Sequence, residues 1–297
     1  MGAKLRVVRR QIRSVQSTMK ITRAMELIAA SRIVKAQQRV EAARPYAELL
    51  TRAMEDVARQ TGALVHPLLE DREEPRRVGI LVVTSDRGLA GAFSANVIRL
   101  GEGLLRDVER RGLEPALYVT GRKGQSYFRF RGVPLEAVWT GFSEVPPYSA
   151  AETVGERLIR DFAERRIDEL HAAYTDFRSA FTLRPTTNRF LPIAPHEVVR
   201  HELGKPHPEY LFEPAPQQIL DDLLPQYVIT KVFHAFLESA ASENAARRRA
   251  MKAATDNAEE LIKVYTRQAN RARQDEITTE ISEIVGGAEA LAQTSGA

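Results

Sequence analysis

The residues best suited to chemistry in this chain follow a short apolar run. The segment Val78-Gly-Ile-Leu-Val-Val-Thr-Ser85 leads into Asp86-Arg-Gly-Leu-Ala-Gly-Ala-Phe-Ser94, where an acid and a base stand beside a glycine-bearing turn. Such a turn between a strand and a helix can hold phosphate groups. Gly88 and Gly91 are three residues apart, so the Gly-x-Gly-x-x-Gly pattern is not met. No Gly-x-x-x-x-Gly-Lys-Ser/Thr loop occurs either.

Turn capping and a salt bridge are therefore the roles that we expect for Asp86 and Arg87. The basic turn Gly121-Arg-Lys-Gly124 has the same ambiguity and no stronger claim to a ligand.

Other candidate sites have weaker support. His196, His201 and His207 are spaced by five and six residues, which does not match a zinc pair on one helix face, and the chain has no cysteine to complete a site. No Gly-x-Ser-x-Gly nucleophile motif is present. The sequence therefore predicts no catalytic residue, no cofactor site and no metal site, and a chain that is not an enzyme by itself.

The middle of the chain alternates between strand and helix patterns. Buried runs bounded by turn residues predict strands, and amphipathic runs between them predict helices, an order typical of a mainly parallel sheet in an α/β domain. The predicted strands are 78–85, whose last residues are turn residues, 115–120, 135–140, 169–177 and 181–187, and the predicted helices are 95–111, 124–130 and 150–166.

Both ends of the chain are depleted of helix breakers. All 15 prolines lie between Pro45 and Pro225, and glycine is absent from 4–61 and from 206–284. Interior proline costs a helix roughly 3 kcal/mol and interior glycine about 1 kcal/mol. We therefore expect helices over 3–44 and 217–285, about 60 and 100 Å long at ~1.5 Å per residue. Helices of this length need a partner in water, and each is the obvious partner of the other.

The apolar spacing supports an antiparallel coiled coil of these two helices. Positions three and four apart form a seam that is interrupted only at Thr22 and Glu26. On the first helix the seam is Leu5, Val8, Ile12, Val15, Met19, Thr22, Glu26, Ala29, Ile33, Ala36, Val40 and Ala43. On the second helix it is Met251, Ala254, Ala258, Leu261, Tyr265, Ala269, Ala272, Ile277, Ile281 and Ile284.

The expected fold is thus α/β, with a long antiparallel coiled coil of the N- and C-terminal helices and a central Rossmann-like domain. We place the N-terminal helix at 1–60, the central domain at 77–200 and the C-terminal helix at 217–297. The two helices would form one discontinuous domain.

Composition narrows the class further. The chain has no apolar run long enough to cross a membrane, and the lack of cysteine permits a reducing compartment. Residues 1–44 hold eleven Lys or Arg against Glu26 and Glu41, whereas the whole chain has a net charge of +4. A basic helix can bind nucleic acid or an anionic surface, but a solvated or protein-facing flank of the coiled coil is the simpler interpretation.

Three separated segments resemble the gamma subunit of F-type ATP synthases. The first is Lys20-Ile-Thr-Arg-Ala-Met-Glu-Leu-Ile-Ala-Ala-Ser31, followed by Ala43-Arg-Pro-Tyr-Ala47. The second is Val83-Thr-Ser-Asp-Arg-Gly-Leu89. The third comprises Ala250-Met-Lys-Ala-Ala-Thr-Asp-Asn-Ala258 and Ala272-Arg-Gln-Asp-Glu-Ile-Thr-Thr-Glu-Ile-Ser-Glu-Ile-Val285. The resemblance spans nearly the whole chain and is weakest over 133–208.

The resemblance implies a function that composition does not. It implies the central rotor shaft, one copy per complex, which couples ion-driven rotation of a membrane ring of c subunits to ATP synthesis and hydrolysis in beta subunits. The implied partners are the hexamer of alpha and beta subunits, the epsilon subunit and the c ring. The implied location is peripheral, at the cytoplasmic face of the bacterial cell membrane, and no cofactor is implied.

By the same resemblance, the contact residues are Lys20 and Met25 on the first helix and Arg273, Gln274, Thr278 and Glu280 on the second. This chain departs from the family in having Asp275 and Glu276 after its Arg-Gln, and Gly88-Leu-Ala-Gly-Ala92 in place of Gly-Leu-Cys-Gly-Gly.

Two functions of other classes remain as alternatives. One is a nucleotide-binding α/β enzyme that dimerises through its helices, for which nucleotide affinity would be diagnostic. The other is a coiled coil that binds nucleic acid through its basic helix, for which salt-sensitive DNA binding would be diagnostic.

Overall fold

The fold, seen in a computed structural model, consists of long helices at both ends of the chain and a sheet of five strands between them. The structure describes residues 3–61, 66–179, 182–194 and 215–294. Its helices are α1 (Ala3–Thr61), α2 (Phe93–Arg110), α3 (Arg122–Phe130), α4 (Tyr148–Ala163) and α5 (Pro216–Thr294). Its strands are β1 (Arg77–Val83), β2 (Glu114–Thr120), β3 (Ala137–Trp139), β4 (Glu169–Phe177) and β5 (Leu183–Leu191).

The sheet has the order β3-β2-β1-β4-β5. The first four strands are parallel, and β5 pairs antiparallel with β4. The predicted mainly parallel sheet is therefore confirmed. Parallel strands need helices on both faces, because their crossover connections must return over the sheet.

Alternate residues of β1 serve two hydrophobic cores. Ile80 and Val82 pack with residues of α2 and α3 on one face of the sheet. Leu81 and Val83 pack on the other face with α4, α5 and the last turns of α1. This period of two is what a strand buried on both faces requires.

Both terminal helices extend further than the proline pattern predicts, and each contains a proline. α1 continues through Pro45 to Thr61, and α5 contains Pro225. A proline inside a helix removes one hydrogen bond and creates a steric clash. Burial outweighs this cost, because α1 beyond Pro45 places Leu50, Met54 and Val57 in contacts from which water is excluded.

The fifth strand is the other element whose bounds differ appreciably from the prediction. The sequence indicated 181–187, whereas β5 spans Leu183–Leu191. Phe181 lies outside the described residues. Pairing with β4 sets the real limits of β5, and its register runs from Leu183 opposite Phe177 to Leu191 opposite Leu170.

The chain divides into two compact units. The terminal unit comprises Met1–Ile28 and Arg248–Ala297, and the central unit comprises Ala29–Arg247. α1 and α5 each contribute residues to both units.

Candidate partner interface

The terminal unit is a pair of antiparallel helices. Leu5 and Val8 of α1 pack with Ala269 of α5, and Ile12 and Tyr265 lie against the same cluster. Residue numbers rise along α1 from Leu5 to Ile12, while those of the neighbouring residues on α5 fall from Ala269 to Tyr265, so the two helices run in opposite directions. The antiparallel coiled coil predicted from the apolar spacing is thus confirmed.

Polar residues occupy the seam where its apolar pattern stops. Thr22 and Glu26 are both buried, at 8% exposure each. The hydroxyl of Thr22 lies 2.8 Å from that of Thr255 on α5. Glu26 forms an ion pair of 3.1 Å with Arg23 on its own helix. The seam therefore continues through this point with polar groups instead of apolar ones.

The contact residues implied by the resemblance lie at the surface of the terminal unit. Lys20, Arg273, Gln274, Thr278 and Glu280 are exposed. The hydroxyl of Thr278 donates a hydrogen bond to the carbonyl of Gln274 at 3.0 Å, so the same oxygen is left to accept one from outside the helix.

Met25 differs from the other five contact residues, because it is half-buried. It can therefore present only part of its side chain to another molecule.

The end of α5 carries apolar side chains that sequence analysis placed in the seam. Ile277, Ile281 and Ile284 are exposed, Ile284 at 71%. Leu261 is exposed as well, while Met251, Ala258, Ala269 and Ala272 are buried as the spacing indicated. The prediction that the three isoleucines lie in the seam was wrong, because Leu5 and Val8 of α1 pack with Ala269 and the isoleucines lie beyond that cluster on α5.

In the central unit, the Asp86 turn has a structural role. The Asp86 carboxylate accepts hydrogen bonds from the backbone N–H groups of Arg122, Gly141 and Ser143, at 3.2, 2.8 and 3.0 Å. It thereby joins the loops that follow β1, β2 and β3.

Arg87, next to Asp86, forms an ion pair of 3.6 Å with Glu144. Capping and a salt bridge, the roles expected for these two residues, are what the geometry supports.

The basic turn after β2 is closed by its own hydrogen bonds. The N–H of Lys123 donates to the Ser85 carbonyl at 3.0 Å, and that of Gly124 donates to the Thr84 hydroxyl at 2.9 Å. Gly121 has φ of +88°, and a Cβ there would lie 2.2 Å from the carbonyl oxygen of Thr84. The N–H groups that would cradle a phosphate in such a turn are thus engaged within the protein.

Helix α5 also lies against the crevice where open α/β sheets bind ligands, at the carboxyl ends of the parallel strands. Thr84 and Thr120 line this crevice on the sheet side, and Phe236, Ser239 and Glu243 of α5 line the opposite side. The space that a nucleotide occupies in related folds is therefore bordered here by the protein's own helix.

Sequence reasoning missed a buried group of charged residues on α5. Glu243 is 1% exposed and Arg247 is 5% exposed. Arg247 contacts Glu243 at 2.5 Å and Glu144 at 3.4 Å, and Glu144 also pairs with Arg32 of α1. Burial raises the pKa of Glu243 above its usual value, and the charge of Arg247 opposes that shift. The spacing of Glu243 and Arg247 by four was the one signal in the sequence.

A second buried carboxyl group on α5 lies against the end of β4. Glu238 accepts a hydrogen bond of 2.5 Å from the N–H of Phe177, and the carboxyl of Asp176 is also within hydrogen-bonding reach. Burial, together with Asp176, raises the pKa of Glu238 to about 7. Two carboxyl groups can share a hydrogen bond only when one of them holds a proton.

The predicted absence of a metal site concerned three histidines of one loop. His196, His201 and His207 lie outside the described residues. Within the described residues, no group of three or more His, Asp or Glu side chains is placed to hold a metal ion. None of the helices in that part of the chain has an apolar stretch sufficient to cross a membrane.

Comparison with known proteins agrees with this architecture. The model of the family described as ATP synthase matches residues 4–291. The chain is 56% identical to the ATP synthase gamma chain of Acidothermus cellulolyticus over 298 residues, covering 99% of each chain. It is 52% identical to the ATP synthase gamma chain of Thermobifida fusca over 303 residues, covering 99% of each.

Solved structures show the same fold at low sequence identity. A chain from the rotor of the Euglena gracilis mitochondrial ATP synthase aligns with a TM-score of 0.65 and 18% identity, covering 93% of this chain and 100% of that one. A chain from the central stalk and c ring of the Tetrahymena thermophila mitochondrial ATP synthase aligns with a TM-score of 0.58 and 23% identity, covering 79% and 99%.

The fold combines a mainly parallel α/β sheet with an antiparallel pair of terminal helices, and the solved rotor and central-stalk chains share this class of fold. The chain belongs to the ATP synthase gamma chain family. Its function is that of the central rotor shaft of ATP synthase, as the resemblance of its motifs implied. The nucleotide-binding enzyme and the nucleic-acid-binding coiled coil are therefore set aside.

Proposed function

We propose that the exposed end of the terminal unit is the part of the shaft that contacts the alpha and beta subunits. We also propose that the chain itself catalyses no reaction. The observation that carries the proposal is the surface of α5 from Arg273 to Val285. There, apolar and polar side chains stand exposed together on a helix that α1 does not cover.

The exposed residues form two adjacent stripes on α5. At 100° per residue, the members of each stripe lie within about 60° of one another. One stripe consists of Arg273, Ile277, Glu280 and Ile284, and the other of Gln274, Thr278, Ile281 and Val285. Apolar side chains flanked by hydrogen-bonding and charged groups are typical of a protein interface.

The exposed isoleucines would exclude water from the contact with partner loops, and Arg273, Gln274, Thr278 and Glu280 would supply directional bonds. Lys20 and Met25 would supply contacts from α1. An asymmetric shaft would favour a different conformation of each beta subunit in each of its orientations. It would thereby couple the distant catalytic sites through one rigid element.

The remaining features of the proposal concern the assembly. One copy of the chain would connect a hexamer of alpha and beta subunits to the epsilon subunit and the c ring, at the cytoplasmic face of the bacterial membrane. The beta subunits would carry the catalytic sites. The relatives named ATP synthase gamma chain and the low-identity rotor structures support this placement.

The test uses alanine substitutions in the reconstituted complex. Gln274→Ala and Thr278→Ala each remove one side-chain contact worth about 0.5–1.5 kcal/mol. We expect ATP turnover to fall about two- to tenfold in each variant, and further in the double variant. The helicity of the isolated chain should stay unchanged.

The matched control is Thr153→Ala. Thr153 is also an exposed helical threonine that donates to the carbonyl four residues earlier, at 2.9 Å, but it lies on α4 of the central unit. Normal turnover in the Gln274 and Thr278 variants would contradict the proposed interface. ATP hydrolysis by the purified chain alone would contradict its non-catalytic role.

A further inference from the structure

The crevice between the sheet and α5 contains a small cavity with polar groups on two sides. Its volume is about 10 Å³, which is close to the space that one water molecule needs. Thr120 of β2 lines it on the sheet side, and Ser239 and Glu243 line it on the α5 side. Their exposed fractions are 2%, 4% and 1%, so bulk solvent does not satisfy the polar groups of these residues.

The hydroxyl group of Thr120 lacks a partner within the protein. Its oxygen is buried and forms no hydrogen bond with any of the described residues. Tyr118, two residues earlier on β2, packs in the core that α4 and α5 share. Alternate side chains of a strand point to the same face, so Thr120 points toward α5 and the cavity. Buried polar groups in native proteins nearly always have a hydrogen-bond partner, and one is therefore expected here.

The polar groups on the α5 side have hydrogen-bonding capacity left over. The hydroxyl oxygen of Ser239 accepts from the N–H of Thr175 at 3.3 Å, and no described residue accepts its proton. The carboxylate of Glu243 accepts from Arg247 at 2.5 Å and from the hydroxyl of Ser143. An ionised carboxylate offers about four acceptor positions, so Glu243 can accept at least one more hydrogen bond.

One water molecule meets the needs of all three groups. Its oxygen can accept the proton of Ser239, and one of its protons can be donated to Glu243. The Thr120 hydroxyl can then accept the other proton or donate to the water oxygen. Three hydrogen bonds are the usual number for a buried water molecule. An apolar occupant would leave Thr120 unpaired, and an organic ligand is too large for the cavity.

We propose that this cavity binds a single water molecule, which links Thr120 on β2 with Ser239 and Glu243 on α5. The cavity lies at the carboxyl ends of the parallel strands, where open α/β sheets bind their ligands. In this chain the bound water would instead connect the sheet to the helix that borders the crevice. The site lies wholly within the central unit and does not depend on the partner contacts proposed above.

Urea unfolding of the full chain tests whether the Thr120 hydroxyl is paired. Thr120→Val keeps the branched shape and removes the hydroxyl. If a water molecule is bound there, the folding equilibrium constant should fall about three- to tenfold, because a buried hydrogen bond is lost. If the hydroxyl has no partner, its removal should leave the constant unchanged or raise it, and that result would overturn the proposal.

The matched control is Thr187→Val, which makes the same replacement at a half-buried position of β5 that does not line the cavity. It should change the folding equilibrium constant less than about twofold. A loss in Thr187→Val as large as that in Thr120→Val would overturn the proposal, because the replacement itself and not the bound water would then account for the effect.

A double-mutant cycle tests whether Thr120 and Ser239 bind the same water molecule. Ser239→Ala removes the hydroxyl on the α5 side. The variant that combines it with Thr120→Val should lose less than the product of the two single losses, because the first substitution already weakens the binding of the water. Losses that simply multiply would overturn the link between the two residues.

A map of the assembled complex shows the occupant directly and needs no substitution. At a resolution that shows ordered water, we expect one peak within hydrogen-bonding distance of Thr120, Ser239 and Glu243. A cavity with no peak would overturn the proposal, even if Thr120→Val had lowered the stability. So would a peak surrounded by about six oxygen atoms, which is the coordination of a hard cation.

Discussion

Helix α5 contains two stretches that differ in how much of their surface is buried, and they are therefore stabilised in different ways. In the central unit, thirteen consecutive residues, 235–247, are all buried. In the terminal unit, burial returns only at spaced positions such as Met251, Thr255 and Ala258, and Ala272 is the last buried position among the side chains described, which extend to residue 286. One continuous helix therefore changes from a core element, enclosed all around, to one with a single buried stripe.

The comparison shows where each stretch can accept polar residues. The enclosed stretch contains Glu238, Glu243 and Arg247, which are tolerated only because each has a fixed partner. The striped stretch places nearly all of its charges in solvent and admits Thr255 to its seam with one matched hydroxyl. A substitution should therefore have a large effect in the enclosed stretch and a small one on the exposed face of the striped stretch.

The largest effect should follow the loss of Arg247. Arg247→Met leaves the buried Glu243 without its partner at 2.5 Å, and breaking a buried pair costs about 3–5 kcal/mol. Urea unfolding of the full chain should show this loss. Arg271→Met changes an exposed arginine of the same helix and should alter the free energy of unfolding by less than about 0.5 kcal/mol. Equal urea midpoints for the two variants would remove the contrast between the stretches.

A smaller, pH-dependent effect should come from Glu238. Its pKa of about 7 in the folded state lies above the ordinary value of 4.5, so its contribution to stability is complete below pH 4.5 and is lost as the pH rises through 7. Asp176, Arg178 and His234 lie near the same carboxyl group, so their charges affect the pH range over which Glu238 loses its proton.

Glu238→Gln, which stays neutral, should therefore match the native chain near pH 4. At pH 8 it should be more stable, by on the order of 1–3 kcal/mol. Thermal unfolding at both values measures the difference. Glu259→Gln, a change at an exposed position of α5, serves as the control and should leave the pH profile as it is. A native profile in Glu238→Gln would mean that this carboxyl group does not titrate between pH 4.5 and 7.

The smallest effect on the chain alone should come from its uncovered end. Ile277→Ser with Ile281→Ser removes apolar groups that are already in water, so the free energy of unfolding should change by less than about 0.5 kcal/mol. Ile229→Ser, at a buried position of the same helix, should destabilise the chain by several kcal/mol. Urea unfolding compares the two. A large loss in the double variant would show that its isoleucines are covered within the chain.

Much of the seam was predictable because its physics is local and periodic. Positions three and four apart share a helix face whatever lies beyond, so Leu5, Val8, Ala269 and Ala272 could be assigned to the buried side in advance. The same spacing could not tell that Ile277 and Ile281 are exposed, since that depends on which residues of α1 lie beside each turn of α5 in the folded chain.

The central unit was predictable in its elements and less so in its details. The strand pattern identified β1 to β4, and the roles of Asp86 and Arg87 followed from their place in a turn. The ion pairs of Arg247 with Glu243 and Glu144 could not be foreseen, because Glu144 is about a hundred residues away in sequence and only the fold brings it near.

The sequence by itself determined the helical ends, the face on which they pair and the strand-helix alternation between them, because backbone propensity and side-chain periodicity act over a few residues. Tertiary structure alone decided that β5 would run antiparallel and that α5 would carry buried charges beside the sheet. The physical reason is the same in both cases. The cost of a strand at the sheet edge or of a buried charge is set locally, but it is offset by groups that lie far away along the chain.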